Sequence, residues 1–254
     1  MRDERVKILD NRKINQAYWK LTFESKSLSV HVFPGQFVNI QLENETDPFL
    51  RRPFSYYRTN GKRIEVLYEI LGRGTKLLTT KQKGETLLVL GPLGKSFTHP
   101  KKNRKHILVG GGVGVPPLVF LAERAPIDCF LIGCKSKGEV LPKSELLKIK
   151  GTVSYATNDG SYGKRGFVTV LLREVIEKAK NKKALFIQTC GPHAMMDAVM
   201  KMAAEYGVEG EASIDERMAC GVGACLGCMV KTKTGYKTSC VEGPIFQFCD
   251  LVHE

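Results

Sequence analysis

Apolar and polar positions alternate along the first part of the chain. "NQAYWKLTFES" (Asn15–Ser25), "SVHVFPGQFVNIQLE" (Ser29–Glu43) and "RIEVLYEIL" (Arg63–Leu71) repeat with a period of two, and turn residues separate them. That period predicts half-buried strands. "GETLLVLGPLGKSF" (Gly84–Phe97) reads as one more strand and a closing turn. Residues 1 to about 98 are therefore expected to form a small antiparallel β-barrel or sandwich, the barrel being preferred.

The pattern changes near Lys101. "HILVGGGVGVPPLVFLAERA" (His106–Ala125) is an apolar strand, a glycine loop and a helix. "DCFLIGCK" and "TVSYATND" read as further strands and "GFVTVLLREVIEKAKN" as a helix. "KALFIQTCGP" is a strand again, and "HAMMDAVMKMAAEYG" is amphipathic with helical spacing. Continuous apolar strands alternating with helices predict a doubly wound parallel sheet. Residues 213–254 fit neither pattern. The fold class expected is thus β plus α/β, with domains at 1–99, 100–212 and 213–254.

Length agrees with more than one domain, since 254 residues exceed the usual single-domain size. The formal charge of +13 raises the question of nucleic acid. The basic residues are scattered, with one run at Lys101, Lys102, Arg104 and Lys105 and another at Lys178, Lys180, Lys182 and Lys183. Neither run is interleaved with aromatics, so a basic surface suited to anionic cofactors or a partner is the simpler reading. The N-terminus "MRDERVKILDNRK" is too charged for a signal peptide. The longest uncharged run, Ile107–Ala122, is 16 residues, broken by Gly and Pro, and too short to span a bilayer. A cytoplasmic protein without membrane or nucleic-acid partners is expected. In that compartment thiols stay reduced, so eight cysteines point to metal or redox work.

The cysteines carry the sharpest signal. "MACGVGACLGCMV" (Met218–Val230) and Cys240 give the spacing Cys220-x4-Cys225-x2-Cys228-x11-Cys240. A structural zinc site usually pairs two short knuckles, and here there is one. A [2Fe–2S] cluster suits the spacing better, because C-x4-C-x2-C with a distant fourth cysteine is the plant-type arrangement. Gly221, Gly223 and Gly227 let bare backbone wrap a cluster and aim N–H groups at sulfur. Cys129, Cys134 and Cys249 lack such spacing and read as incidental thiols, with Cys249 a lesser alternative ligand.

Other stretches bear on what would feed electrons to such a centre. In "LRRPFSYY", Arg52 is suited to a pyrophosphate, Pro53 fixes the backbone beyond it and Ser55 offers a hydroxyl to a flavin edge. An ordinary strand with a surface arginine is the competing reading. "GRGT" (Gly72–Thr75) is either an anion nest or a plain tight turn. "GGGVGVPP" runs G-x-G-x-x-P from Gly112 through Gly114 to Pro117, between strand and helix, where a dinucleotide approaches bare backbone. A loop made of glycine only for packing is the alternative there. Cys190, Gly191 and Pro192 end a later strand, where open α/β sheets bind ligands. Cys190 reads equally as a nicotinamide neighbour and as a small buried residue. Lys135 and Lys137 stand where a 2′-phosphate would lie, so NAD and NADP are not separated. Nicotinamide gives up two electrons together and a cluster takes one, so a flavin is the needed converter.

Together, Arg52-Pro53-Phe54-Ser55, Gly72-Arg73-Gly74-Thr75, Gly112-Val113-Gly114 with Pro117, Cys190-Gly191-Pro192 and the cysteine segment resemble the ferredoxin-reductase superfamily. More narrowly, they resemble the electron-transfer subunits of type B dihydroorotate dehydrogenase, over essentially the whole chain. "MACGVGACLGC" with "CVEGPIF" (Cys240–Phe246) is the most specific part. The resemblance implies FAD, NAD as co-substrate and a [2Fe–2S] cluster on Cys220, Cys225, Cys228 and Cys240. It implies FAD contacts at Arg52, Pro53, Phe54, Ser55, Leu67, Tyr68, Glu69, Gly74 and Thr75. Gly112, Val113, Gly114, Cys190, Gly191 and Pro192 would meet NAD. It implies an FMN-containing catalytic partner that oxidises dihydroorotate in pyrimidine (UMP) synthesis, in a heterotetramer with two copies of each chain. Phe54 stands where many ferredoxin reductases carry Tyr, so no polar role is expected of it. The flavin subunit of an electron-bifurcating ferredoxin:NADP oxidoreductase is the alternative within the superfamily; its segment generally has Asp at the position of Cys220. A non-catalytic zinc-binding adaptor is the alternative from another class. No nucleophilic triad, paired carboxylates or HExxH stands out, so a partner is expected to bring the organic substrate. The apolar end "GPIFQFCDLV" (Gly243–Val252) is expected to dock on that partner.

Overall fold

The computed structural model describes residues 1–42, 49–99, 101 and 103–252. Glu43, Pro100, Lys102, His253 and Glu254, at the end of a quoted strand, a domain boundary, a basic run and the chain end, lie outside the described residues.

Among these residues the chain forms two seven-stranded sheets and a two-stranded ribbon. The first sheet holds β1 (Arg2–Lys13), β2 (Tyr18–Glu24), β3 (Phe37–Gln41), β4 (Arg52–Ser55), β5 (Arg58–Asn60), β6 (Arg63–Glu69) and β7 (Thr86–Leu93). Their order is β4-β3-β7-β1-β2-β6-β5, with antiparallel neighbours throughout. The charged N-terminus is itself the long strand β1, which buries Val6 and Ile8 and turns charges outward. Strand structure between Ser29 and Gln41 is confined to β3, because Pro34-Gly35 breaks the run and Gly35 takes φ +99°. Before it, α1 (Lys26–Ser29) is a single turn capped by the Ser25 hydroxyl, which accepts from Leu28 N.

β4 and β5 are the two edges of this sheet, yet only Tyr56 and Tyr57 separate them in the chain. The edges are therefore drawn together without pairing, which makes the sheet a half-barrel. Phe54 sets its ring edge-on to Tyr68 across the gap, with centroids 5.8 Å apart. Val6, Leu21, Phe23, Val38, Ile40 and Val66 fill the interior.

The second sheet holds β8 (Lys105–Gly111), β9 (Cys129–Cys134), β10 (Thr152–Thr157), β11 (Lys164–Arg165), β12 (Leu185–Cys190) and β13 (Glu209–Ser213). The order is β11-β10-β9-β8-β12-β13, all parallel. Helix α3 (Val115–Arg124) packs Leu118 and Leu121 on one face with Leu108 and Phe130. Helices α4 (Thr169–Lys178) and α5 (His193–Glu205) pack Leu172, Ile176 and Val199 on the other, with Ile107 and Ile187. The sheet is thus doubly wound, as the alternation of Ile107 and Leu108 between faces requires.

The cysteine-rich tail has strands that its sequence pattern did not indicate. The ribbon β14 (Met229–Thr232) and β15 (Gly235–Thr238) is followed by β16 (Ile245–Gln247), which joins β13 antiparallel as the seventh strand of the second sheet. The cysteine-rich tail, described to Val252, is therefore also paired to the α/β unit, and the sheet is mixed at that edge. Phe246, Phe248 and Leu251 bury in the same core as Ile187 and Ala212. Phe246, Phe248 and Leu251 are thus covered by this chain itself, while Cys249 and Val252 stay exposed. Met218, Cys228 and Cys240 pack against Phe37 and Leu93 of the half-barrel.

A charged clamp also joins the two sheets. Glu145 accepts from Lys20 Nζ at 2.6 Å, from Arg58 Nη1 at 2.5 Å and from the Tyr57 hydroxyl at 2.9 Å. Arg58 also meets Glu123 at 2.6 Å. Burial opposes ionisation of Glu145, but the hydrogen bonds and charges of Lys20 and Arg58 outweigh it and hold the carboxyl at about 2. No helix among the described residues is long and apolar enough to cross a membrane.

Candidate functional site

A cavity of about 500 Å³ lies between β4 and β6 of the half-barrel and the carboxyl ends of β8 and β12. Its size suits a nucleotide-like ligand. Arg52, Pro53, Phe54, Ser55, Leu67, Tyr68, Glu69, Gly74 and Thr75 all line it. Of the residues read for nicotinamide, Val113, Gly114, Cys190 and Gly191 line it as well, while Gly112 and Pro192 do not. The Gly112 carbonyl accepts from the Tyr18 hydroxyl at 2.8 Å, and Pro192 caps α5.

The half-barrel meets the cavity with side chains. Helix α2 (Arg73–Leu78) begins at Gly72, and Gly74 lies directly under Arg52: a Cβ there would come 2.5 Å from Arg52 Nε. Arg52 donates to the Leu50 carbonyl and makes no ion pair with a described residue. Its neighbour Arg51 is spent on Asp3, through bonds of 2.8 and 2.7 Å. Thr75 uses its hydroxyl inside its own turn, accepting from Leu71 N and Gly72 N. Tyr68 anchors its hydroxyl on Asn11 at 3.0 Å, so its ring is held beside the cavity. Glu69, beside Gly112, has its carboxyl pushed up by burial and then by Glu139.

The α/β sheet meets the cavity with bare backbone. A Cβ on Gly114 would lie 2.1 Å from the Cys190 carbonyl carbon and oxygen. Gly191 takes φ +153° and leaves no room beside the Gly111 carbonyl. Gly114 is therefore required by the packing of the glycine loop on the end of β12, whatever else it contacts. Burial pushes the Cys190 thiol up to about 12, which leaves it protonated and apolar in character.

The cysteine segment closes the third side. Asp215, Glu216, Arg217, Met218 and Pro244 line the cavity, none of them foreseen from sequence. The side chain of Asp215 is open to the cavity; the surrounding wall desolvates it and, with Glu216, raises the carboxyl to about 6, against the pull of His193.

Beyond Met218 the four cysteines gather in two pairs. Cys220 and Cys225 interact through their thiols, as do Cys228 and Cys240. Val222 N and Cys225 N each donate to Cys220 Sγ at 3.4 Å, and Gly223 N donates to Cys240 Sγ at 3.2 Å. Left-handed backbone at Gly221, Gly223 and Leu226 turns these amides inward. Burial works to raise the Cys220 thiol, but the backbone donors overcome it and bring it to about 6. Burial and then Cys228 raise Cys240 to about 12. Among the described residues no three His, Cys, Asp or Glu side chains converge as they would on a single ion. Two pairs of thiols, with amide donors at sulfur, suit a two-iron group, in which each iron takes two protein thiolates, better than one tetrahedral zinc. Cys249 is exposed and has Asp250 as its neighbour.

Residues 215–252 match the family described as the iron–sulfur cluster binding domain of dihydroorotate dehydrogenase B. The electron transfer subunit of dihydroorotate dehydrogenase B (NAD(+)) from Desulforamulus reducens is 35% identical over 244 residues, covering 92% of each chain. That of Geobacillus kaustophilus is 36% identical over 261 residues, covering 98% of each. The chain belongs to the family of dihydroorotate dehydrogenase B electron transfer subunits. Its fold is also that of an NADH-dependent reduced ferredoxin-NADP oxidoreductase structure solved for flavin-based electron bifurcation. That match has a TM-score of 0.85 and 27% identity, covering 98% of this chain and 90% of the other. The ferredoxin reductase of carbazole 1,9a-dioxygenase shares the fold over 82% of this chain, with a TM-score of 0.69 and 21% identity.

Within this dihydroorotate dehydrogenase B family member, Asp215 to Met218 carried one sequence signal: they directly precede Cys220, and a segment that delivers a redox centre must approach its electron source. Pro244 carried none, because only the pairing of β16 with β13 brings it to the cavity.

Proposed function

We propose that this chain passes electrons between NAD(H) and a catalytic partner that oxidises dihydroorotate, with FAD in the cavity and a [2Fe–2S] group on Cys220, Cys225, Cys228 and Cys240. When bound, the flavin converts paired into single electrons and the cluster carries them singly. One observation carries this reading. Phe37 and Met218 line the cavity and also pack in one cluster with Cys228 and Cys240. The two sites therefore share a wall.

The chain's own residues divide the work. Arg52, in no ion pair with a described residue, can grip a pyrophosphate, and Gly74 gives it room. Tyr68 and Phe54 offer aromatic surface, and Ser55 a hydroxyl. Val113, Gly114, Cys190 and Gly191 form a flat apolar and backbone wall where a nicotinamide can approach. Beside the cysteines, Val222, Leu226 and Val241 are exposed at 38%, 59% and 48%. This apolar rim around the exposed Cys225 is the face we assign to the FMN-bearing partner, in an assembly of two copies of each chain.

Isolated, the chain should oxidise NADH with an artificial acceptor and leave dihydroorotate untouched. Adding the catalytic subunit should create NAD-linked dihydroorotate oxidation. Cys225→Ser should lose iron and that coupled activity while retaining FAD and NADH oxidation with a two-electron dye. Coupled turnover at the normal rate in an iron-free variant would overturn the route.

A further inference from the structure

One buried polar side chain has no role in the fold. Along β3, Val38 and Ile40 enter the half-barrel core, so Phe37 and Asn39 point to the opposite face, toward the cysteine segment. Asn39 is 0% exposed. Neither its Nδ2 nor its Oδ1 has a hydrogen-bond partner. A buried amide without partners is unfavourable, and one retained in a native protein calls for an account.

What Asn39 faces supplies that account. A Cβ on Gly221 would lie 2.6 Å from Asn39 Nδ2 and 3.5 Å from its Cγ. Gly221 has φ +72° and directly follows Cys220. The amide is thus laid on the peptide that carries the first cysteine. The other donors at this centre, Val222 N, Gly223 N and Cys225 N, are backbone groups of the loop itself. Asn39 is a side-chain donor brought from the other sheet. Its partner across β4 is Pro53, which lines the cavity, so it stands between the two sites.

We infer that Asn39 belongs to the cysteine centre: its amide N–H is a side-chain donor to sulfur of the bound cluster, added to the backbone donors, and raises the cluster's reduction potential. This rests on the [2Fe–2S] reading above. A reduced cluster carries one more negative charge than an oxidised one, so a donor at sulfur favours the reduced form. Without the cluster, the same amide only burdens the fold.

The test compares the full chain with Asn39→Leu, and with the isosteric pair Asn39→Thr and Asn39→Val. Iron and sulfide are assayed first, then the cluster midpoint is followed by electron paramagnetic resonance during a redox titration. Chelator-stripped samples are melted in parallel. Asn39→Leu should lower the one-electron equilibrium about tenfold, which is a fall of about 59 mV. Asn39→Val should titrate below Asn39→Thr, since only Thr keeps a donor. Stripped Asn39→Leu should melt no lower than the stripped native chain. Equal midpoints for Val and Thr, or a native midpoint in Asn39→Leu, overturn the inference while leaving the cluster reading intact. A stripped Asn39→Leu chain that melts far below the native one makes Asn39 a scaffold residue and also overturns it. Native chain without iron and sulfide overturns the cluster reading itself, and the inference with it.

Discussion

The two seven-stranded sheets approach the same cavity by opposite means. The half-barrel presents side chains, among them Arg52, Phe54, Tyr68 and Glu69. The α/β sheet presents mainly peptide backbone at Gly114 and Gly191. Their glycines make the contrast measurable. At Gly72 a Cβ would meet nothing within 4 Å, at Gly74 it would meet the mobile end of Arg52, and at Gly114 it would strike fixed backbone. A wall of side chains is damaged by taking atoms away, and a wall of backbone by adding them.

The largest effect should come from adding one methyl group to the backbone wall. Gly114→Ala has no rotamer to escape into, so the glycine loop and the end of β12 must part. We expect about 3 kcal/mol of lost stability, toward the upper end for overpacking, and a melting temperature lower by about 6–12 °C. Gly72→Ala is the matched control and should melt like the native chain. Calorimetry of both would break the comparison if their melting temperatures fell equally.

Next in size is the clamp that holds the walls at their spacing. Glu145→Gln leaves Lys20 and Arg58 partly unpaired, at an expected loss of about 2–3 kcal/mol near neutral pH. The sign follows from the depressed carboxyl. Its stabilisation is present above the unfolded carboxylate range and is lost as pH falls from about 4.5 toward about 2. The native chain should therefore lose stability in that window, and Glu145→Gln should lose less. Parallel acid titrations of the two would show converging stabilities; lines that stay parallel would remove Glu145 from the clamp.

The smallest effect should be confined to binding. Arg52→Ala removes a charged hydrogen bond from the side-chain wall and should weaken FAD by about 1.5–3 kcal/mol, with the melting temperature of the apoprotein unchanged. Titration of the apoprotein with FAD measures it. An unchanged dissociation constant would return Arg52 to the status of a surface residue.

The same contrast explains what was legible beforehand. Local rules govern the strands, the glycine loop and the cysteine spacing. The runs at Asn15–Ser25, Arg63–Leu71 and His106–Ala125 therefore predicted their elements, and the Cys220 to Cys240 spacing marked the segment that matches the iron–sulfur family. Three features depend on contacts far apart in the chain and left little trace. The three-residue strand β16 is too short for periodicity to identify, and only its register on β13 defines it. The Lys20–Arg58–Glu145 clamp looks like ordinary surface charge until the sheets are docked. Arg2–Lys13 reads as polar because Val6 and Ile8 are buried among many charged residues. Asn39 was invisible for the opposite reason: an Asn in a strand is common, and only its lack of partners distinguishes it.

The antiparallel pairing of β16 with β13 recasts the cysteine segment as an insertion between two neighbouring strands. Both of its ends are pinned in one sheet, by bonds that do not involve sulfur. Closing the loop is therefore part of folding the sheet, so the sheet's own pairing offsets the entropy of bringing the two ends of this segment together, a task that would otherwise fall to whatever the cysteines bind.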